Sequence, residues 1–268
     1  MIDYKTAEDI EQIRQSCLLV SKTLAHVASI LKPGITGKQI DKEAETFIRD
    51  HNAVPGFLGY NGFPGTLCIS PNDAVVHGIP TDKPFLEDDI LSIDCGSYLN
   101  GYFGDSAYTF AMPEVSEEVM ALLVTTNESL YKGIEQATVG NRIGDISYAI
   151  QSYNESKNYT VVRELVGHGI GKNLHEPPEV PNFGRRGRGQ KIKAGLVIAI
   201  EPMINLGKKG VKQSNDGWTV VTKDNKPSAH YEHTIAVTDE GFDILSNHEL
   251  IQEVIKNNPE IRNISLKK

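Results

Sequence analysis

The chain has 268 residues, 39% apolar and 23% charged, enough to bury a core in one large domain or two modest ones. Its formal net charge of −8 argues against a stable nucleic-acid complex, which calls for a basic footprint. No apolar run approaches a membrane span, and the opening "MIDYKTAEDIEQIRQ" has neither a basic leader nor an apolar segment, so neither a membrane partner nor a signal peptide is expected.

Cys17, Cys68 and Cys95 are odd in number, widely spaced and free of any CxxC pattern, which fits a reducing, cytoplasmic setting. In chain order, Thr6 and Asp9 signal a helix start, and Ile10, Ile13, Cys17, Val20, Leu24 and Val27 follow at helical spacing. Lys32-Pro33-Gly34 stops that helix. Thr36 with Gln39 opens a second one, with Ile40, Ala44 and Phe47 as its buried stripe. The Gly- and Pro-rich stretch "VPGFLGYNGFPGTLCISPNDAVVHGIP" reads as loops around short strands.

"ILSIDCGSYLNGYFGDSAYTF", residues 90–110, reads as a hairpin turning at Asn100-Gly101, because a type I′ turn needs two positive φ values. That register sets Leu99 against Tyr102 and Gly96 against Asp105. Asp94, two residues from Gly96, shares the face, so the aspartates are diagonal neighbours roughly 7–8 Å apart at the backbone. Gly96 leaves space beside them. Two carboxylates at ~4 Å repel by about 4 kcal/mol in an effective dielectric near 20. They call for a shared proton, a basic partner or a cation. Two solvated aspartates on an edge hairpin would be the ordinary alternative, but Ile93, Cys95, Tyr108 and Phe110 flank them.

Beyond Pro113, "SEEVMALLVTTNESLYKGIEQATVG" and "NRIGDISYAIQSYNESKN" read as a third and a fourth helix. The stretches from Gly34 to Ile40 and from Gly140 to Ile146 match, and each copy leads through histidine-bearing loops to acid-bearing strands. This weak repeat predicts two α/β halves facing each other, about 1–113 and 114–250, in a single domain spanning 1–268. "GLVIAIEPMI" reads as one apolar strand, and "GWTVVTKDNKPSAHYEHTIAVT" as two strands about a Lys-Asp-Asn-Lys-Pro turn. The basic tail, 260–268, is expected to be frayed and solvated.

More acids stand in apolar company: Glu201 closes "GLVIAIE", and Glu232 precedes an apolar strand. His168 lies between glycines in "LVGHGIG", and His175 follows in "NLHEPPEV". A dinucleotide loop is excluded at 167–171, because the glycine spacing differs and Pro177-Pro178 bars the helix that must follow. Four carboxylates and a histidine suit two divalent cations, with mixed O and N ligation favouring manganese, iron, cobalt or zinc. Two such ions can activate a water and polarise a carbonyl.

Asp94, Asp105, His168 in "GHGIG", Glu201 in "AIEP" and Glu232 in "YEHT" resemble the five metal ligands of the methionine aminopeptidases. "VVHGIP" and "LHEPP" match that family's substrate-facing histidines, here His77 and His175. The likeness runs from the first helix to about Leu245. Lacking a zinc-binding extension or a large helical insert before Glu201, the chain is similar to the short bacterial type I form. The resemblance implies an α/β (α+β) pita-bread fold, with two pseudo-symmetric halves of helices packed on a curved antiparallel sheet around a dimetal site.

It also implies removal of the initiator methionine from the N-termini of nascent polypeptides when the second residue is small. The cofactors would be two divalent ions (cobalt, manganese, iron, zinc or nickel), with Asp105 and Glu232 bridging. Glu201 would be general acid/base, His175 would bind the scissile carbonyl, and His77 would contact the leaving side. Tyr60, Phe63, Cys68 and Trp218 fall at the methionine pocket. Phe57, Leu174 and His230 depart from residues common in the family, so the pocket's size is open. Ser228 and the backbone at Ser92 resemble a monovalent-cation site.

A monomer with at most a transient ribosome contact is the family expectation; "GRRGRGQ" at 184–190 is otherwise a solvated loop, and Cys95 a core residue. The rivals are an Xaa-Pro aminopeptidase or prolidase, a non-catalytic binding protein of the same fold, and a dimetal phosphoesterase.

Overall fold

In the computed structural model, which describes residues 2–264, helices α1 (Ala7–Ile30) and α2 (Gly37–Asp50) both start at the capping boxes read from the sequence. Thr6 accepts from the Asp9 N–H while Asp9 accepts from the Thr6 N–H, and Thr36 and Gln39 repeat the exchange. Each box satisfies two of the donors that a helix start leaves orphaned.

Short strands follow: β1 (Val54–Pro55), β2 (Leu67–Pro71) and β3 (Ala74–Val76), then the long pair β4 (Ile90–Leu99) and β5 (Tyr102–Ala111). The turn between that pair is as expected, with positive φ at Asn100 (53°) and Gly101 (88°). Leu99 pairs with Tyr102 and Gly96 with Asp105, so the register holds. β4 also pairs with β2 and β1, which makes it a central strand.

Helix α1 lies directly on this hairpin. Ser16 Oγ donates to the Tyr102 carbonyl (3.0 Å), and Ser97 Oγ donates to the Ser16 carbonyl (3.1 Å). Gly104 permits the approach, since a Cβ there would stand 2.4 Å from the Cys17 nitrogen.

The second half repeats the plan. Helix α3 (Glu117–Ile134) precedes α4 (Ile143–Ser156), and α4 matches α2 in its 14-residue length. Gly34 and Gly140 both take positive φ, Ile40 and Ile146 are both fully buried, and Asn52 and Asn158 both take positive φ just past their helices. The strands are β6 (Thr160–Val161), β7 (Val166–Gly169), β8 (Glu176–Pro181), β9 (Val197–Ile200), β10 (Met203–Asn205), β11 (Val211–Gln213), β12 (Val220–Thr222), β13 (Ser228–His230), β14 (His233–Thr238) and β15 (Gly241–Ile244).

Two apolar runs that read as single strands are each broken once. The first splits into β9 and β10 at Glu201-Pro202, and the second into β13 and β14 at Tyr231-Glu232. β9 pairs with β14 and β10 with β13, so the breaks lie opposite each other in neighbouring sheets. Both acids stand at the breaks. The freed Glu232 N–H donates to the Ala107 carbonyl of β5, in the other half (3.0 Å).

A last helix, α5 (His248–Asn257), was not anticipated, although Asn247 caps it and Ile251 and Ile255 bury its stripe. The tail also departs from expectation: Ile261 and Ile264 are buried, and the Arg262 N–H donates to the Ala111 carbonyl. Arg262 further bonds Val115 O and Glu117, so charge here anchors rather than frays. Residues 265–268 of that expectation lie outside the described residues. Among the described residues, no helix is long and apolar enough to cross a membrane.

Gly104→Ala should drive α1 off the hairpin and cost roughly 1–3 kcal/mol or more of stability, read from the urea midpoint; an unchanged midpoint would refute this close approach.

Candidate metal centre and substrate pocket

The five residues singled out as metal ligands converge on one cavity of about 180 Å³. Asp94 and Asp105 project from the paired strands β4 and β5; Glu201 and Glu232 come from the two strand breaks, and His168 from β7. Asp105, His168 and Glu232 each offer a ligand atom within 4.8 Å of the others. His168 Nε2 lies 3.8 Å from Asp105 Oδ2 and 3.7 Å from Glu201 Oε1. These spacings are too long for hydrogen bonds and leave room for something between.

The surroundings make these groups costly without a cation. Asp105 is 3% exposed and Glu232 2%, and Oδ1 of Asp94, Oδ1 of Asp105 and Oε1 of Glu232 are buried with no hydrogen-bond partner among the described residues. Burial first, then the neighbouring carboxylates, push Asp105 and Glu232 well above the usual carboxylate range. Burial raises Glu201 to about 8 and Asp94 to about 7. His168 moves the other way, to about 3, through burial and then through the nearby His175. Its Nδ1–H donates to the Gly169 carbonyl (2.9 Å), which leaves Nε2 bare toward the carboxylates, the tautomer a metal ligand needs. Orphaned oxygens, a bare imidazole nitrogen and an all O/N donor set fit divalent ions.

The two halves are stitched together around this point. Thr109 Oγ1 donates to the His230 carbonyl (2.7 Å) and accepts from the His230 N–H (2.9 Å); its proton being used, Ser92 Oγ must donate to it (2.9 Å). Ser106 Oγ donates to the Glu232 carbonyl (2.7 Å), and Thr234 Oγ1 to the Asp105 carbonyl (2.8 Å). The backbone at Asp105 and Glu232 is thus held from the opposite half.

His77 and His175 reach the same cavity and are exposed at it. His77 holds φ at 58°, a left-handed backbone that non-glycine residues adopt at a cost and that clusters at functional positions. His175 lies 4.3 Å, ring to ring, from His168. Tyr60 OH is 2.8 Å from His175 Nδ1. With the phenol as donor, the imidazole proton sits on Nε2. The loop carrying His175 is pinned by Glu176, which accepts from Lys5 (2.7 Å) and from the Asn173 N–H (3.0 Å). Burial alone would depress the Lys5 ammonium, but its bonds to Asp3 and Glu176 more than offset that, so it is held charged.

Tyr60, Phe63, Cys68 and Trp218 also line the cavity, together with Phe57 and Leu174. Phe63 meets Trp218 edge-on at 5.3 Å. The space expected beside Gly96 is taken by the Phe57 ring, whose Cε1 would stand 2.5 Å from a Cβ at 96. Ser228 Oγ is bonded to Ile204 O and Asn205 Oδ1. Sequence reasoning passed over His230 as a mere departure, yet its Nε2 is buried without a hydrogen-bond partner among the described residues and lies 3.5 Å from Glu201 Oε2. Its place two residues before Glu232, on the same strand face, was the available signal.

Residues 11–239 match metallopeptidase family M24. The methionine aminopeptidase of Clostridium acetobutylicum is 51% identical over 92% of this chain and 99% of its own length. Methionine aminopeptidase 1 of Bacillus subtilis is 48% identical, with the same coverage. The crystal structure of methionine aminopeptidase from Rickettsia prowazekii superposes with a TM-score of 0.91 at 42% identity, covering 92% of this chain and 100% of that one. An Xaa-Pro dipeptidase from Bacillus anthracis shares the fold, with a TM-score of 0.75 at 21% identity over 91% of this chain and 62% of that one.

Chelator-stripped protein given Mn²⁺ at about 100 times its Kd should gain roughly 2.7 kcal/mol, a rise in Tm of about 5–10 °C for a chain of this size; an unmoved Tm would mean that no ion is held here.

Proposed function

The chain belongs to metallopeptidase family M24, and on that footing we propose that it is a metal-dependent methionine aminopeptidase, removing N-terminal methionine from nascent proteins whose second residue is small. The observation that carries this reading is the set of four buried carboxylates with unpartnered oxygens, facing His168 beside a pocket of Tyr60, Phe63, Cys68 and Trp218.

Asp94, Asp105, His168, Glu201 and Glu232 would hold two divalent ions. Bound there, the ions would polarise the scissile carbonyl and make water a nucleophile at neutral pH. Glu201 takes the proton from that water and passes it to the leaving amine. His175, with its proton placed on Nε2 by Tyr60, donates to the carbonyl oxygen where negative charge develops. His77 contacts the peptide on the leaving side. The methionine thioether lies against the Phe63–Trp218 edge and the Cys68 thiol, soft partners for sulfur.

The ions are drawn from manganese, iron, cobalt, zinc and nickel, since an O/N donor set does not choose among them. A monovalent cation beside Ser228, a single catalytic domain over 1–268 with halves meeting near 113, a monomeric state, a transient ribosome contact and a cytoplasmic setting complete the reading. Resemblance to the family supports these.

The test is peptide release by chelator-stripped protein with and without Mn²⁺ or Co²⁺, on Met-Ala-Ser, Leu-Ala-Ser, Met-Pro-Gly and Ala-Pro. Metal-dependent release of methionine alone is expected. Cleavage of Ala-Pro would move the chain to the proline peptidases, and no release with any metal would overturn enzyme function. Asp105→Ala should abolish turnover and lower metal stoichiometry. His175→Ala should keep the metal and lose about 10²–10³ in kcat, as for removal of one oxyanion donor; full activity in either variant would refute its assignment.

A further inference from the structure

His230 is the one group at the centre that the proposed reaction leaves unused. His230 is 1% exposed, and among the described residues its Nε2 has no hydrogen-bond partner. A buried polar nitrogen left unpaired costs about 1–3 kcal/mol, so the absence of a partner needs a reason. The nitrogen lies 3.5 Å from Glu201 Oε2, while the other oxygen of the same carboxylate, Oε1, faces His168 Nε2 at 3.7 Å. The two oxygens of Glu201 therefore stand between two different imidazoles.

The His230 backbone cannot drift, because Thr109 bonds both its N–H and its carbonyl. Tyr231 is locked beside it, its OH donating to the Thr109 carbonyl (2.9 Å). Met203 pairs with His230 across β10 and β13, so the strand that follows the Glu201-Pro202 break and the strand that carries His230 are neighbours in one sheet. At the Glu201 backbone, Asn182 Nδ2 donates to the carbonyl (3.1 Å), which leaves the carboxylate as the part still to be oriented.

We propose that His230 is a positioning residue for Glu201: its buried Nε2, 3.5 Å from Oε2, restricts rotation of the carboxylate so that Oε1 is kept toward His168. This rests on the reading of Glu201 as proton carrier. A nitrogen beside Oε2 makes the two oxygens inequivalent, and a carboxylate free to rotate would present either one. Partners of this kind, one step out from the ligands, typically contribute 10- to 100-fold in activity or metal affinity.

The test compares His230→Gln, which keeps a side-chain nitrogen, with His230→Met, which fills similar space without one; His230→Ala replaces Met if that variant does not fold. Release of methionine from Met-Ala-Ser gives kcat and KM, and calorimetric titration with Mn²⁺ gives affinity and the number of ions bound. The expectation is a kcat lowered roughly 10- to 100-fold in the Met variant at near-constant KM, an unchanged number of ions, and recovery to within about threefold in the Gln variant. Unchanged kcat and Mn²⁺ affinity in the Met variant would overturn the proposal. So would a Gln variant as impaired as the Met variant, or loss of a bound ion in both, which would make His230 a ligand instead. If the unaltered protein releases no methionine, the functional reading fails, and the Mn²⁺ affinities alone decide the role of His230.

Discussion

Four carboxylates share one cavity, and their mutual repulsion is the constraint on which the rest of the structure depends. A pair at ~4 Å costs about 4 kcal/mol at an effective dielectric near 20, and burial adds to it. No lysine or arginine forms an ion pair with any of the four among the described residues; the nearby cationic candidates are histidines. Burial has depressed His168 to about 3, so it enters as a neutral donor and supplies no balancing charge. The scaffold holds the acids together regardless, through backbone bonds that cross between the halves. Such a site suits a cation, which would turn the repulsion into binding.

The same constraint accounts for the strand breaks. A continuous strand projects side chains alternately to its two faces, and a carboxylate must leave the apolar packing of both. Glu201 and Glu232 do so where pairing switches from one sheet to the next, and the main-chain group exposed at Glu232 is satisfied by β5 of the other half. In the first half both aspartates stand within unbroken strands, and the Phe57 ring packs against Gly96, the partner of Asp105. The pseudo-symmetry is thus close in the helices and looser in the strands that carry the chemistry.

Legibility in the sequence follows the range of the interaction concerned. The hairpin register could be read because Asn100-Gly101 fixes it within two residues, and the helix starts because Thr6–Asp9 and Thr36–Gln39 are local exchanges. The five acids and histidines, both outer histidines and the four pocket residues do meet in one cavity, as their motifs led one to expect. The breaks at Glu201 and Glu232 were hidden, since hydrophobicity continues across them and only a change of pairing partner reveals them. Helix α5 and the anchored Arg262 were missed for a similar reason: their stability comes from packing and bonds to distant residues, not from a strong local pattern. His230 was hidden by its ordinariness, as a lone histidine in an apolar strand is usually a core residue.

The division of the centre between the halves has a consequence for how each molecule comes into being. Asp94 and Asp105 are made early, whereas Glu232 is added when most of the chain already exists, and the bonds from Ser106 and Thr234 that register the halves cannot close before it. Until residue 232 is added, a growing chain lacks at least one of the five proposed ligands. The full set of proposed ligands can therefore form only when most of the chain has been made. Its oxygen and imidazole donors suit several divalent metals of the first transition row, and for such donors availability weighs alongside geometry in deciding which is bound.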